Sequence, residues 1–97
     1  MGYKILWSDE SVNNLQEIID DINRKWYERE VDKFKIKLSH LLDLIERNPF
    51  LFPPSIKNPH LRKAVLSKQT SIYYKVENDI VYLTYIHLNK RDQGRIK

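Results

Sequence analysis

The fold of this chain is decided by two runs near its C-terminus, Thr70-Ser71-Ile72-Tyr73-Tyr74-Lys75-Val76 and Ile80-Val81-Tyr82-Leu83-Thr84-Tyr85-Ile86-His87. Both are rich in β-branched and aromatic residues, which favour strands. The connection Glu77-Asn78-Asp79 suits a tight turn, so we predict a β-hairpin. The second run is apolar on both faces and is therefore typical of a central strand. We assign Ile80, Tyr82, Ile86 and Leu88 to one face and Val81, Leu83 and Tyr85 to the other.

Two further strands are predicted outside this hairpin. One covers residues 61–66 and is followed by a turn at residues 67–69. The other covers residues 3–7 at the N-terminus. The last three strands are expected to form an antiparallel meander, whereas the pairing partner of the first strand is left open.

Two amphipathic helices are predicted between the first and second strands. Ser8 is a suitable N-cap, and Asp9 and Glu10 favour the positive end of the first helix dipole. The second helix is expected from about Glu28 to Arg47, and the short break before it implies an antiparallel hairpin. Asp21 is expected to face water. The predicted apolar stripes are Val12, Leu15, Ile18, Ile19, Ile22 and Trp26 in the first helix, and Val31, Phe34, Leu38, Leu41, Leu42 and Ile45 in the second.

A proline-rich segment separates the helices from the later strands. Pro49 cannot continue a helix and pushes Asn48 out of the helical region. The following loop, residues 50–60, contains apolar residues that can anchor it on the core. The predicted architecture is therefore a single α+β domain over residues 1–97, of order β-α-α-β-β-β, with an N-terminal helical hairpin packed on a mainly antiparallel four-stranded sheet.

The charge of the chain is unevenly distributed. The net charge is +4, but residues 1–48 contain 8 Lys and Arg against 10 Asp and Glu, whereas residues 49–97 contain 9 against 3. A basic half of this kind favours a nucleic acid or an acidic protein as partner, although solvated surface lysines would also produce it. With no cysteine, membrane span or signal peptide in the sequence, we expect a cytoplasmic protein.

Several kinds of site are not indicated by the sequence. The only glycines are Gly2 and Gly94, so there is no glycine-rich phosphate loop and no Gly-x-Ser-x-Gly turn. The three histidines are too dispersed for a convincing metal site. We therefore expect neither a metal nor a cofactor.

The remaining candidates are basic and aromatic. A ribonuclease needs a group that moves protons and cations that stabilise the charge on the phosphate, and His87, Arg62 and Arg91 are the candidates for these catalytic roles. The alternative interpretation of His87 is a strand end hydrogen-bonded to a neighbouring carbonyl. The tyrosines also suit ordinary sheet packing. The candidate binding residues are Arg62, Lys63, Tyr73, Lys75, Lys90, Arg91 and Arg95.

Four segments together resemble the RelE/ParE superfamily of type II toxins. They are Pro49-Phe50-Leu51-Phe52-Pro53, Leu61-Arg62-Lys63-Ala64-Val65, Ser71-Ile72-Tyr73-Tyr74-Lys75-Val76, and Ile86-His87 through Lys90-Arg91-Asp92. The resemblance covers nearly the whole chain. It implies a toxin of a plasmid-stabilisation type that forms an oligomeric complex with a cognate antitoxin and has no membrane partner.

The resemblance also implies two different targets, because RelE-like members cut messenger RNA in the ribosome and ParE-like members block DNA gyrase. Arg62 and Arg91 match cations of the nucleases. Ala64, Ser71 and Lys97, however, stand where a lysine, an arginine and a tyrosine would be expected. Because the nuclease set is incomplete, the resemblance favours the ParE-like branch, so whether the chain is an enzyme is left open. The alternatives are a ribosome-dependent endonuclease of the RelE type and a non-toxic, antitoxin-binding module with the same fold.

Overall fold

The computed structural model describes residues 2–88 and contains the predicted elements in the predicted order. The helices are α1 (Asp9–Lys25) and α2 (Glu28–Arg47), and a short 3-10 helix (Pro49–Leu51) follows them. The architecture is thus the expected helical hairpin on a sheet. The strands are β1 (Lys4–Trp7), β2 (Arg62–Val65), β3 (Thr70–Glu77) and β4 (Ile80–Leu88).

The four strands form one mixed sheet in the order β1-β4-β3-β2. β4 is a central strand, as predicted, and its neighbour β3 pairs with it antiparallel, as β2 does with β3. The partner of β1, left open by the sequence, is β4, and the two strands run parallel from Lys4 opposite Ile80 to Trp7 opposite Leu83. Asn78 has a positive φ of 56° in the β3–β4 turn, a conformation that asparagine adopts more readily than most residues.

A β-bulge at Thr84 corrects the predicted faces of β4. Tyr73 lies opposite Tyr85 and Tyr74 lies opposite Leu83, so Thr84 is an extra residue in the ladder. The alternation of side chains therefore changes parity at this point. Tyr82 and Tyr85 share one face, while Val81, Leu83 and Ile86 are buried on the other face. The assignment of Tyr85 to the face of Val81 and Leu83, and of Ile86 to the face of Tyr82, was wrong.

The helical hairpin covers one face of the sheet, and most of its predicted apolar stripe forms the core. Ile18, Leu38, Leu41 and Ile45 pack against buried residues of β3 and β4. Three residues of the predicted stripe lie outside the core: Val12 and Trp26 are 51% and 62% exposed, and Ile19 is only partly buried. The expectation for Asp21 was also wrong: Asp21 is only 6% exposed.

The burial of Asp21 is compensated by charges of the same helix. Its carboxylate is 2.8 Å from the Arg24 guanidinium and 3.6 Å from Lys25 Nζ. Arg24 and Lys25 remain exposed to solvent, whereas the Asp21 side chain that they pair with is covered. A buried carboxylate without such partners would cost several kcal/mol.

Ser8 fixes α1 against the sheet. Its hydroxyl accepts a hydrogen bond from the Ser11 amide, as expected of an N-cap, and donates one to the Thr84 carbonyl at 2.7 Å. The Ser8 amide also donates to the Leu83 carbonyl. Further along α1, Asn14 Oδ1 accepts from the Ile86 amide at 2.9 Å. These side chains supply hydrogen-bond partners to the backbone of β4 beyond the point where its pairing with β1 ends.

The proline-rich loop is tied to the sheet by two polar side chains. The fully buried Tyr74 donates its hydroxyl hydrogen to the Pro49 carbonyl. Arg62 donates to the Phe52 carbonyl at 2.6 Å, and its guanidinium lies 4.9 Å from the centre of the Phe50 ring. These bonds hold the loop against the sheet. The expected anchoring by apolar residues is confirmed only for Phe52, which packs on the core, whereas Phe50 and Leu51 are 54% and 56% exposed.

We predict that Tyr74→Phe reduces the loss of folding stability that the wild type shows at alkaline pH. Burial raises the pKa of Tyr74 to about 12, and the neighbouring Arg62 lowers it by less. Because the phenol of the unfolded chain ionises near pH 10, this contribution is complete below pH 10 and is lost as the pH rises through about 12. Denaturant unfolding at pH 8, 9 and 10.5 should show a smaller alkaline loss in Tyr74→Phe than in the wild type.

Tyr27→Phe is the matched control for this measurement, because Tyr27 is largely exposed. It should leave the alkaline loss of stability unchanged. An equal alkaline loss in wild type and Tyr74→Phe would contradict the assignment of this pH dependence to Tyr74.

Candidate target-binding face and partner groove

The face of the sheet opposite the helices is open, and it carries most of the candidate residues that the structure describes. Alternation along β2 and β3, together with the bulge in β4, brings side chains from three strands to this side. We call this surface the open face. It consists of Lys63, Ser71, Tyr73, Lys75, Tyr82, Tyr85 and His87.

Two tyrosines form the centre of the open face. The rings of Tyr73 and Tyr85, which are paired across β3 and β4, are stacked with centroids 4.5 Å apart and planes 12° apart. Lys63 Nζ lies 5.9 Å from the Tyr73 ring, and Lys75 Nζ lies 5.7 Å from the Tyr82 ring. Ammonium groups within about 6 Å of an aromatic face are attracted to it. The open face thus presents aromatic surface flanked by cations.

The phenol of Tyr85 stays protonated at neutral pH. Burial raises the pKa of Tyr85, and the neighbouring Tyr73 and Glu10 raise it further. His87 is exposed beside it and lies opposite Ser71, the position where the resemblance would place an arginine. His87 therefore has no strand-borne cation directly opposite it.

Arg62 lies on the other side of the sheet. It is opposite Tyr74, whose side chain is buried in the core, and its guanidinium is held by the Phe52 carbonyl and the Phe50 ring. The structure therefore places Lys63, Tyr73, Lys75 and His87 on one face of the sheet and Arg62 on the other. Ala64 is also buried on the core side. The candidates Lys90, Arg91 and Arg95 lie outside the described residues.

An acidic cleft, which the sequence analysis did not anticipate, adjoins His87. Glu10, Glu17 and Asp20 of α1 line it together with Tyr85 and His87 of β4, and its volume is about 540 Å³. In the sequence, Glu10 was assigned only to the positive end of the first helix dipole, and nothing indicated a site role for Glu17 or Asp20. Their position beside the end of β4 depends on the packing of α1 along that strand, which the Ser8 and Asn14 hydrogen bonds fix.

A second and larger groove was also missed. It lies on the helix side of the sheet, between the ends of the helical hairpin and the β2–β3 turn, and has a volume of about 830 Å³. We call it the hairpin groove. Trp26, at the break between the helices, was predicted to belong to the apolar stripe of the first helix and so gave no indication of the groove. Its lining includes the apolar residues Ile22, Trp26, Phe34, Ile36, Leu66 and Leu88 and the cations Lys25, Lys33 and Lys37.

No metal site and no membrane-spanning helix was found within residues 2–88. No group of three His, Cys, Asp or Glu side chains in this part of the chain is arranged to hold a metal ion. None of the helices in this range is both long enough and apolar enough to cross a membrane.

The fold is shared with solved toxins of toxin–antitoxin systems. A chain of the chromosomal ParDE system from P. aeruginosa superposes with a TM-score of 0.75 at 16% identity, over 89% of this chain and 95% of that one. A YoeB/ParE toxin from Agrobacterium tumefaciens superposes with a TM-score of 0.62 at 13% identity, over 88% of this chain and 97% of that one. A chain of the E. coli DinJ–YafQ toxin–antitoxin complex superposes with a TM-score of 0.64 at 14% identity, over 94% of this chain and 97% of that one.

These likenesses confirm the fold that the resemblance implied: two helices on a four-stranded mixed sheet, as in ParE, YafQ and YoeB. No family model matches the sequence. No curated protein matches it either.

Proposed function

We propose that this chain is the toxin of a type II toxin–antitoxin pair, that it acts in the cytoplasm, and that its target is DNA gyrase. The observation that carries the proposal is the agreement over nearly the full length with a chain of the ParDE system, at a TM-score of 0.75. The neighbours from the DinJ–YafQ complex support a cognate antitoxin as the partner of this chain.

The geometry of the candidate cations supports gyrase over RNA cleavage. A phosphate-cleaving site needs cations and proton-transfer groups aimed at one reacting centre. Arg62 is engaged with the loop on the core side of the sheet, whereas His87 lies on the open face. The open face is then a contact surface for gyrase, formed by exposed lysines and partly exposed tyrosines. Lys90, Arg91 and Arg95 belong to this proposal as further contact residues.

The second candidate function is a ribosome-dependent endonuclease, and one observation favours it. The stacked Tyr73 and Tyr85 rings beside Lys63 are the kind of aromatic and cationic surface on which unpaired bases stack. In this function His87 transfers protons and Arg91 stabilises the phosphate charge. Arg62 would then support the site only through the fold.

We expect induced expression to arrest growth and the purified protein to inhibit supercoiling by gyrase. His87→Ala separates the two functions. As a surface residue it should alter gyrase inhibition by no more than a few fold, whereas removal of a general acid or base should reduce RNA cleavage by about 100-fold or more. The measurements are a supercoiling titration and the mapping of cuts in a translated message.

Unchanged supercoiling together with cuts that His87→Ala abolishes would replace the gyrase proposal with the nuclease. A chain that leaves growth, supercoiling and messages unaffected would be a non-toxic, antitoxin-binding module with this fold. His40→Ala is the matched control, since His40 is an exposed histidine of α2 and does not belong to the open face.

A further inference from the structure

The open face carries charges of opposite sign in different places along its strands. Its cations, Lys63 and Lys75, lie beside tyrosine rings. His87 follows Tyr85 by two residues, or roughly 7 Å along β4, in the direction away from the β3–β4 turn. There the acidic cleft adjoins the face. The residue opposite His87 is the neutral Ser71, so this end of the ladder adds no cation.

The carboxylates of the acidic cleft are poorly neutralised. Four carboxylates line it with the single guanidinium of Arg24, which is already bound to Asp21 at 2.8 Å. Glu10 and Glu17 form no ion pair among residues 2–88. Asp20 accepts a hydrogen bond from an uncharged side-chain amide of the same helix. The cleft therefore carries excess negative charge beside the open face.

The field of these carboxylates reaches the aromatic centre of the open face. Burial raises the pKa of Tyr85 most, and the nearby Tyr73 and Glu10 raise it further. The Asn14 hydrogen bond to the Ile86 amide holds α1 at this distance from β4. Exposed charges act over about 10 Å at 0.1 M salt. A negative charge that acts on the Tyr85 phenol also acts on an anion placed over its ring.

A nucleic acid would otherwise be a natural ligand of this surface. Stacked aromatic rings beside lysines bind single strands with little dependence on sequence. The net charge of +4 adds a general attraction for phosphates. Like charge placed against an unwanted ligand is a common source of specificity. A strand with its bases on Tyr73 and Tyr85 would carry phosphates toward the cleft.

We infer that Glu10, Glu17 and Asp20 are specificity-determining residues, which keep the phosphate backbone of single-stranded nucleic acid off the open face and leave this face to a protein. The identity of that protein rests on the proposed function. The exclusion of nucleic acid does not depend on it and is measured separately. A matching protein surface has acidic groups opposite Lys63 and Lys75 and none opposite the cleft.

A short RNA tests the inference without gyrase and without any measurement of toxicity. The probe is a labelled single-stranded RNA of about ten nucleotides and mixed sequence, added to the full chain and followed by fluorescence anisotropy. The triple variant Glu10→Gln, Glu17→Gln and Asp20→Asn should bind it about 10-fold or more tightly than the wild type at low salt. Raising the salt from about 50 to 200 mM should reduce this gain.

A matched variant separates the position of the charges from their number. Glu28→Gln, Asp32→Asn and Glu46→Gln change the net charge equally, at exposed positions of α2 that do not line the cleft. This control should bind the RNA no more than about 2-fold more tightly than the wild type, because its carboxylates lie on the other side of the sheet. Denaturant unfolding checks that both triple variants are folded.

Two further variants locate the gain. Adding Tyr73→Leu to the cleft variant removes one stacking ring and should cancel most of the gain. The double variant Glu17→Gln with Asp20→Asn keeps Glu10 at the start of α1. It should show a smaller gain in the same direction, and it retains the test if the triple variant does not fold.

Equal RNA affinity of the wild type and the cleft variants would overturn the inference. So would an equal gain in the α2 control, which would assign the effect to overall charge, or a gain that survives Tyr73→Leu, which would place the RNA elsewhere. Tighter RNA binding by the cleft variant of a chain that does not inhibit gyrase would reject only the proposed target. Inhibition of gyrase without that gain would reject only the exclusion of nucleic acid.

Discussion

Replacing Lys63 and Lys75 together by glutamate is expected to weaken inhibition of gyrase supercoiling by about 100-fold or more, because each reversal replaces an attraction of roughly 1–2 kcal/mol with a repulsion. Both ammonium groups flank tyrosine rings of the open face. Lys75 is only weakly engaged elsewhere, since its ion pair with Glu77 is 3.5 Å long and both groups are largely exposed. The concentration that halves supercoiling activity is the quantity to measure.

Arg62→Ala provides an internal contrast with Lys63. The two residues are adjacent, but Arg62 points to the core side, where it binds the Phe52 carbonyl. Its loss should lower the free energy of unfolding by about 1–3 kcal/mol, because the carbonyl loses a charged donor and the Phe50 ring its cation. Inhibition per folded molecule should remain near the wild-type value.

The open face would be rejected as the target surface if the double lysine variant inhibited supercoiling as well as the wild type. A matched charge change on the helices, Lys33→Glu with Lys35→Glu, should have little effect. A comparable loss in this control would mean that inhibition depends on the overall charge of the chain. Inhibition measured at two salt concentrations adds a second criterion, since attraction between exposed charges is largely screened beyond about 10 Å at 0.1 M salt.

The sequence predicted the elements well because each depends on local patterns. Alternating residues in β3 and β4, the Ser8 cap and the helical periodicity of α1 and α2 are properties of short segments. The faces of β4 were not predictable in the same way. The bulge at Thr84 arises from the pairing of Tyr73 with Tyr85 and of Tyr74 with Leu83, and a strict period of two cannot reveal an extra residue.

The candidate site was predicted only in part for a related reason. Composition identifies Arg62 and Lys63 equally as cations, but the side of the sheet on which each lies depends on the register of β2 against β3. Asp21 similarly looks like a solvated helix residue until α1 is packed against the sheet. Grooves between elements require the positions of several elements at once, so no local pattern gives them.

Leu83→Ala is expected to lower the free energy of unfolding by about 2–5 kcal/mol, because it removes a buried side chain from a place where the structure cannot easily close over the gap. Leu83 is fully buried and pairs with β1 on one side and with β3 on the other. Its carbonyl also accepts a hydrogen bond from the amide of Ser8, the N-cap residue of α1. Its neighbours are therefore fixed by the backbone ladder, which limits relaxation into the cavity.

The contrasting substitution is Leu44→Ala, which removes the same atoms from an α2 side chain that is 44% exposed and should cost about 1 kcal/mol or less. Equilibrium denaturation of both variants measures the difference. Equal losses in the two variants would contradict the expectation that the burial of Leu83 in the central strand determines its contribution to stability. For a domain whose total stability is about 5–15 kcal/mol, the larger loss makes unfolding at growth temperature significant. Leu83→Ala should consequently reduce growth arrest in the cell, while the folded fraction at low temperature keeps its activity against the purified target.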